Sequence, residues 1–141
     1  MATNYTKTAL FYDYLDMRAL QRVMPSAVKQ GMDIVVGGPY SSGVLAGGTH
    51  FEYQKASPEI MAKVQKIKSI ADRHNISIKA AALQFSLANP AVAAVIPGAS
   101  RPERIVEDKA ALNTEIPAAF WEEMREQKLV APHAPLPIDV K

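Results

Sequence analysis

Val95-Ile96-Pro97-Gly98-Ala99-Ser100-Arg101-Pro102-Glu103-Arg104-Ile105-Val106-Glu107-Asp108 decides how the chain is read. The apolar run 91–96 before and into it reads as a short buried strand. Pro97-Gly98 breaks that strand, and Pro102 opens a helix with Arg101, Glu103, Arg104, Glu107 and Asp108 in its first two turns. A strand feeding a helix N-terminus presents unpaired N–H groups and a positive dipole end, which suits a phosphate. Two arginines beside it can grip a second phosphate, and the acidic pair can accept from an adenine amino group or a ribose hydroxyl. The bland alternative is a capped helix with solvated charges.

A second turn of this kind lies upstream. Asp33-Ile34-Val35-Val36 reads as a buried strand, and Gly37-Gly38-Pro39-Tyr40-Ser41-Ser42-Gly43-Val44-Leu45 follows it directly. Glycines and small hydroxyls let backbone approach an anion, although the spacing matches neither the Walker loop nor the G-x-G-x-x-G fingerprint. Alone, such a turn is more often a flexible surface loop.

Composition excludes several classes. The chain has 141 residues, 48% hydrophobic and 21% charged, with a formal net charge of +2. That size suits one domain or part of one, and the charge is too near neutral to argue for nucleic acid or an anionic membrane. The absence of cysteine removes disulfides and thiolate metal sites and fits a reducing compartment. With no secretory pattern and no long apolar stretch, the expected location is the cytoplasm. His50, His74 and His133 are too scattered for a metal site, so none is expected. His74 reads as a cap on the carbonyl end of its helix.

The remaining elements follow from periodicity and punctuation. Residues 1–7 read as a disordered N-terminus, 8–130 as the folded body, and 131–141 as an irregular proline-rich tail. Thr8–Tyr12 reads as a strand. Asp16 is expected to cap a helix with Leu20, Val23, Met24, Ala27 and Val28 inward, Pro25 kinking it or delaying its start and Gln30-Gly31 ending it. Ser57-Pro58-Glu59 and Ser77 open two further helices, the second stopped by Asn89-Pro90. A last helix follows Ile116-Pro117, with Phe120, Trp121 and Met124 inward. Strands alternating with helices predict an α/β fold with parallel pairing, and their unbroken apolar character predicts burial on both faces. Three such strands leave two open edges.

These residues resemble the C-terminal part of the aldo-keto reductase family, in the branch of fucose and D-threo-aldose 1-dehydrogenases and pyridoxal reductase-like proteins. Phe11–Leu20, Val35–Leu45, Ala80–Phe85 with Asn89-Pro90, Val95–Asp108, and Ile116-Pro117 with Phe120-Trp121 carry the resemblance. It implies strands six to eight of a TIM (β/α)8 barrel, incomplete as a stand-alone barrel, with the site at the strands' C-terminal ends. It implies NADP or NAD as cofactor and an aldehyde, ketone or aldose as substrate class. By position, Pro39, Ser41, Ser42, Gly43 and Leu45 look like pyrophosphate-loop contacts. Gly98, Ala99, Ser100, Arg101, Arg104, Glu107 and Asp108 look like the adenosine end, with Arg104 at the 2′-phosphate.

The departures from the family pattern are informative. The family's catalytic Asp, Tyr, Lys and His lie in segments that do not match this sequence, so no residue here is assigned a catalytic role. Gly37 stands where an aromatic often stacks on nicotinamide, Ala9 where a Gln is frequent, and Asp108 where Asn is common. The reading is therefore a cofactor-binding half of a reductase. Its expected partners are the dinucleotide and either a complementary N-terminal barrel half or a second copy. The alternative is a non-catalytic, self-associating scaffold. A phosphate-binding isomerase or aldolase half is disfavoured by the Val35-Val36-Gly37-Gly38-Pro39 loop and the Arg104, Glu107, Asp108 spacing.

Overall fold

The computed structural model describes residues 7–12, 14–40, 43, 45, 48, 50, 51 and 54–139. In chain order these form β1 (Lys7–Phe11), a 3-10 turn (Arg18–Leu20), α1 (Val23–Lys29), β2 (Asp33–Gly37), β3 (His50–Phe51) and β4 (Gln54–Lys55). Then come α2 (Pro58–Arg73), α3 (Ile78–Ala88), β5 (Val92–Ile96), α4 (Pro102–Leu112) and α5 (Ala118–Glu126). The expected disorder of residues 1–6 lies outside the described residues, and β1 begins at Lys7, one residue before Thr8.

Three strands form a parallel sheet in the order β1-β2-β5. Lys7 pairs with Asp33 and Phe11 with Gly37, while Ile34 pairs with Val92 and Gly37 with Ile96. Between Ile34 and Val35 the partner on β5 jumps from Val92 to Ala94, so Ala93 is an extra, bulged residue. Parallel strands in this register end together. The turns after all three strands therefore share one end of the sheet, which is what places the two candidate loops side by side.

Burial differs from the expectation of strands covered on both faces. In β2, Ile34 and Val36 are fully buried, as befits the central strand. In β5, Ala93, Ala94 and Ile96 are exposed because β5 is an edge strand with one neighbour. The short antiparallel pair β3–β4 had no period-2 signal long enough to be read.

The helices follow their punctuation. Ser57 Oγ accepts from Ile60 N at 3.3 Å and Ser77 Oγ accepts from Ala80 N at 3.3 Å, each satisfying an orphan donor of a first turn. Val64, Ile67 and Ala71 of α2 face inward with Ile60 partly buried, as the spacing required. Seven of the eleven residues of α3 are buried, Ala80 to Leu83 and Phe85 included, and none is fully exposed. Tyr12 stacks on Phe85 at 5.2 Å and Tyr14 meets it edge-on at 5.7 Å.

Two expectations need correction. Asp16 does not cap α1: its carboxylate accepts from the Arg18 backbone N–H at 3.2 Å and from the Arg18 guanidinium at 2.8 and 2.7 Å, bracing the 3-10 turn instead. The Arg18 contacts outweigh partial burial and hold the Asp16 carboxyl below its usual range. Helix α1 starts late, at Val23, and buries only Met24 and Ala27; Val23 and Val28 face solvent because a seven-residue helix presents a single narrow face. Gly31 takes φ +67°, the left-handed stop its position after α1 called for.

The proline-rich tail has no helix or strand among its described residues, yet it is packed. Ala134 and Leu136 are buried with Leu129 and Val130 against Phe120, Trp121 and Met124 in the core cluster. Asp139 accepts from Leu136 N at 2.9 Å and pairs with Arg125 at 2.6 Å, which pins the end of the tail to α5.

Candidate functional site

The site grows from the ends of β2 and β5, registered at Gly37 and Ile96. After β2 the chain turns through Gly38 at φ +60°, and Pro39 and Tyr40 fold inward and are buried. The Tyr40 carbonyl then accepts from Gly43 N at 2.9 Å and Leu45 N at 3.2 Å. Gly43 sits at φ +100°, a conformation that a side chain would strain. Its carbonyl accepts from Gly48 N at 2.8 Å, and a Cβ on Gly48 would lie 2.8 Å from that same oxygen. The loop is thus closed on itself by glycines and anchored by buried Leu45. Ser41 and Ser42 lie outside the described residues.

After β5, Gly98, Ala99 and Ser100 are exposed, and Arg101 leads into α4 with extended backbone. The first turn of α4 offers fewer donors than its sequence suggested. Pro102 has no N–H, and Arg104 N already donates to Arg101 O at 3.1 Å. Glu103 adds a negative charge to the same turn. Anion affinity here rests chiefly on guanidinium charge, with the helix end a minor contributor.

Tyr40, Lys79, Gly98, Arg101, Arg104 and Glu107 line a cavity of about 190 Å³ between the two turns. Neither Arg101 nor Arg104 makes an ion pair among the described residues, and both are exposed. Asp108 is not among the lining side chains. It is buried beneath them, where its Oδ1 accepts from Tyr40 Oη at 2.6 Å and forms an ion pair with Lys79 Nζ at 2.8 Å. Lys79 also reaches Glu107 Oε2 at 3.3 Å and lies 5.3 Å from the Tyr40 ring centroid, a cation–π contact. Burial first, and then the hydrogen bond to the Asp108 carboxylate, push the Tyr40 phenol far above its usual range. Tyr40 therefore stays a donor at any physiological pH.

Of the twelve residues expected at a cofactor site, Gly98, Arg101, Arg104 and Glu107 converge on the cavity. Pro39, Gly43 and Leu45 build the neighbouring loop, Ala99 and Ser100 form the exposed rim, and Asp108 is an internal brace. Tyr40 and Lys79 were missed. Tyr40 carried a weak local signal, an aromatic within a glycine turn, whereas Lys79 carried none, because its partners lie about one helix and one strand away in sequence.

Away from this cavity, His74 Nε2 lies 2.9 Å from Glu123 Oε2, and Arg73 pairs with the other carboxylate oxygen. The His74 ring also meets Phe120 edge-on at 5.9 Å. His74 is the C-cap residue of α2, as expected, its backbone N–H donating to Ile70 O at 3.1 Å, and its side chain in addition ties α2 to α5. Among the described residues no group of three His, Cys, Asp or Glu side chains could hold a metal ion, and no helix is long and apolar enough to cross a membrane.

The aldo/keto reductase family model matches residues 3–128. The chain is 33% identical over 124 residues to pyridoxal 4-dehydrogenase of Microbacterium luteolum, covering 85% of this chain and 36% of that protein. It is 30% identical over 124 residues to D-threo-aldose 1-dehydrogenase of a Pseudomonas species, covering 84% of this chain and 38% of that protein. An aldo-keto reductase of Bacillus halodurans in its holo form superposes with a TM-score of 0.68 at 23% identity, over 97% of this chain and 46% of that one. Its apo form gives the same TM-score at 22% identity. The chain belongs to the aldo/keto reductase family. Its fold is similar to part of the family's barrel, and it spans 36–38% of the two curated relatives and just under half of the solved structures.

Proposed function

We propose that this chain carries the cofactor-binding half of an NAD(P)-dependent oxidoreductase acting on an aldehyde, ketone or aldose. In this reading β1, β2 and β5 correspond to the sixth, seventh and eighth barrel strands. The cavity beside α4 takes the adenosine end of the dinucleotide, and the glycine loop after β2 takes the pyrophosphate. The dinucleotide supplies the hydride. This chain's residues bind and orient it, and the groups that protonate a carbonyl belong to the other half of the barrel.

The observation that carries the reading is the cavity itself. Arg101 and Arg104 face it with no ion-pair partner among the described residues, at the strand ends where a parallel α/β sheet binds ligands. Its 190 Å³ falls below the roughly 300 Å³ at which pockets for whole drug-sized ligands begin, which suits one end of an extended cofactor. Two guanidinium groups favour NADP, whose 2′-phosphate adds charge to be met. Titration of the chain with 2′,5′-ADP, followed by backbone amide NMR, tests this. Saturable shifts clustered on Gly98 to Arg104 and Lys79 are expected. Shifts spread over the surface without saturation would reject it.

A second reading, a self-associating scaffold, is favoured by a different observation. The β5 edge exposes Ile96, and α4 exposes Ile105, Val106 and Leu112. Concentration-dependent mass in light scattering that Val106→Lys abolishes, together with no nucleotide binding, would put this reading first.

A further inference from the structure

Glu107 and Asp108 stand three and four residues after Arg104 on α4, the spacings at which a helix normally pairs an arginine with a carboxylate. Neither carboxylate pairs with Arg104. Their oxygens are held from the neighbouring helix by Lys79, at 3.3 Å from Glu107 and 2.8 Å from Asp108. Lys79 sits in the first turn of α3, one residue after Ile78, so the fold delivers its ammonium group to the floor of the cavity.

We propose that Lys79 is a specificity-determining positioning residue: it draws Glu107 away from Arg104 and offsets the charge of Asp108, leaving that guanidinium to meet a second phosphate on the nucleotide. The inference rests on the adenosine-end reading above. Around the cavity, Lys79, Arg101 and Arg104 face Glu107 and the underlying Asp108, an excess of one positive charge. Without Lys79 that excess vanishes, and the exposed Glu107 is released onto the arginine three residues before it, while Asp108 stays bound to Tyr40. Nucleotides with and without a 2′-phosphate share adenine, ribose and 5′-phosphate. The ratio of their affinities therefore isolates the effect of Lys79 on the extra phosphate.

The test is calorimetric titration of the wild-type chain, Lys79→Met and the double variant Lys79→Met/Glu107→Gln with 2′,5′-ADP and with 5′-AMP. The wild type is expected to favour 2′,5′-ADP. Lys79→Met should cut that preference by about three- to tenfold, the scale of a few-ångström charge change near the surface. Removing the Glu107 charge as well should restore part of the preference, which a merely structural role for Lys79 would not produce. Lys79→Gln, which keeps a donor and removes the charge, should behave like Lys79→Met and decides the matter if the latter fails to fold. A wild-type preference that survives both Lys79 substitutions overturns the proposal while leaving the adenosine-end reading intact. A wild-type chain that binds neither nucleotide overturns both.

Discussion

Tyr40 donates its hydroxyl hydrogen to Asp108 at 2.6 Å, joining residues 68 apart in sequence and tying the loop after β2 to helix α4. Asp108 is 6% exposed and Tyr40 7%, so the bond is made in a region largely closed to water. With Lys79 added from α3, three separate segments meet at one carboxylate. The walls of the cavity are set by this junction, and its consequences can be measured.

Tyr40→Phe keeps the ring and removes the donor. A hydrogen bond to a charged group contributes about 1.5–3 kcal/mol, and a loss of that order is expected in denaturant unfolding. The pH dependence has a definite sign. A phenol whose folded pKa is raised contributes stability that is present below the unfolded value, about 10, and is lost as the pH climbs above it. The stability gap between wild type and Tyr40→Phe should therefore be constant from neutral pH up to about 10. A gap that shrinks between pH 7 and 9 would contradict the assignment.

Asp108→Ala strips the partner from both Tyr40 and Lys79. Removing one side of a largely buried ion pair costs roughly 3–5 kcal/mol, and Lys79, which keeps some solvent contact, moves the expectation to the lower end. Asp108→Asn retains an acceptor and should cost less. Thermal unfolding followed by circular dichroism separates the two; equal loss would mean that an uncharged acceptor at this position contributes nothing and the negative charge carries the whole effect.

Glu123 gives a second pH signature of opposite sign. The hydrogen bond from His74 first, and then Arg73, hold its carboxyl below the usual range. A depressed carboxyl contributes stability above its unfolded pKa, near 4.3, and loses it as the pH falls through the folded value. Wild type should exceed Glu123→Gln in stability near pH 6, with the difference closing below about pH 4. Unfolding midpoints against pH for the two chains check this.

Ser57→Ala and Ser77→Ala each remove an acceptor from the first turn of a helix. Each should cost about 0.5–2 kcal/mol. Ser77 has the further consequence of loosening the turn that carries Lys79. Its substitution should therefore also weaken 2′,5′-ADP binding, whereas Ser57→Ala should not. Parallel unfolding and binding measurements on the two variants make the comparison.

How much of this was legible in the sequence depended on the range of the interaction. Ser57, Ser77, Pro102 and Gly31 announced helix ends because caps and turns are decided within four residues. Phe120, Trp121 and Met124 announced the inner face of α5 by spacing alone. Exposure of Ala93, Ala94 and Ile96 was not legible, because an apolar strand reads the same at the edge of a sheet as at its centre. Val23 and Val28 misled for a related reason: hydrophobic identity does not say which face a short helix buries. At the site, Arg101 and Arg104 were visible as charges at a strand-to-helix turn. The inward turn of Asp108, the His74–Glu123 pair and the arrival of Lys79 each required the packing of helices distant in sequence, which local pattern does not encode.

The central claim is that the cavity beside α4 receives the adenosine end of a nicotinamide dinucleotide, with Arg104 at its 2′-phosphate. The most direct measurement is calorimetric titration of wild type and Arg104→Ala with 2′,5′-ADP and 5′-AMP. Loss of one charge-assisted contact should weaken 2′,5′-ADP by about tenfold or more and leave 5′-AMP nearly unchanged. Equal weakening of both nucleotides, or none of either, would contradict the account.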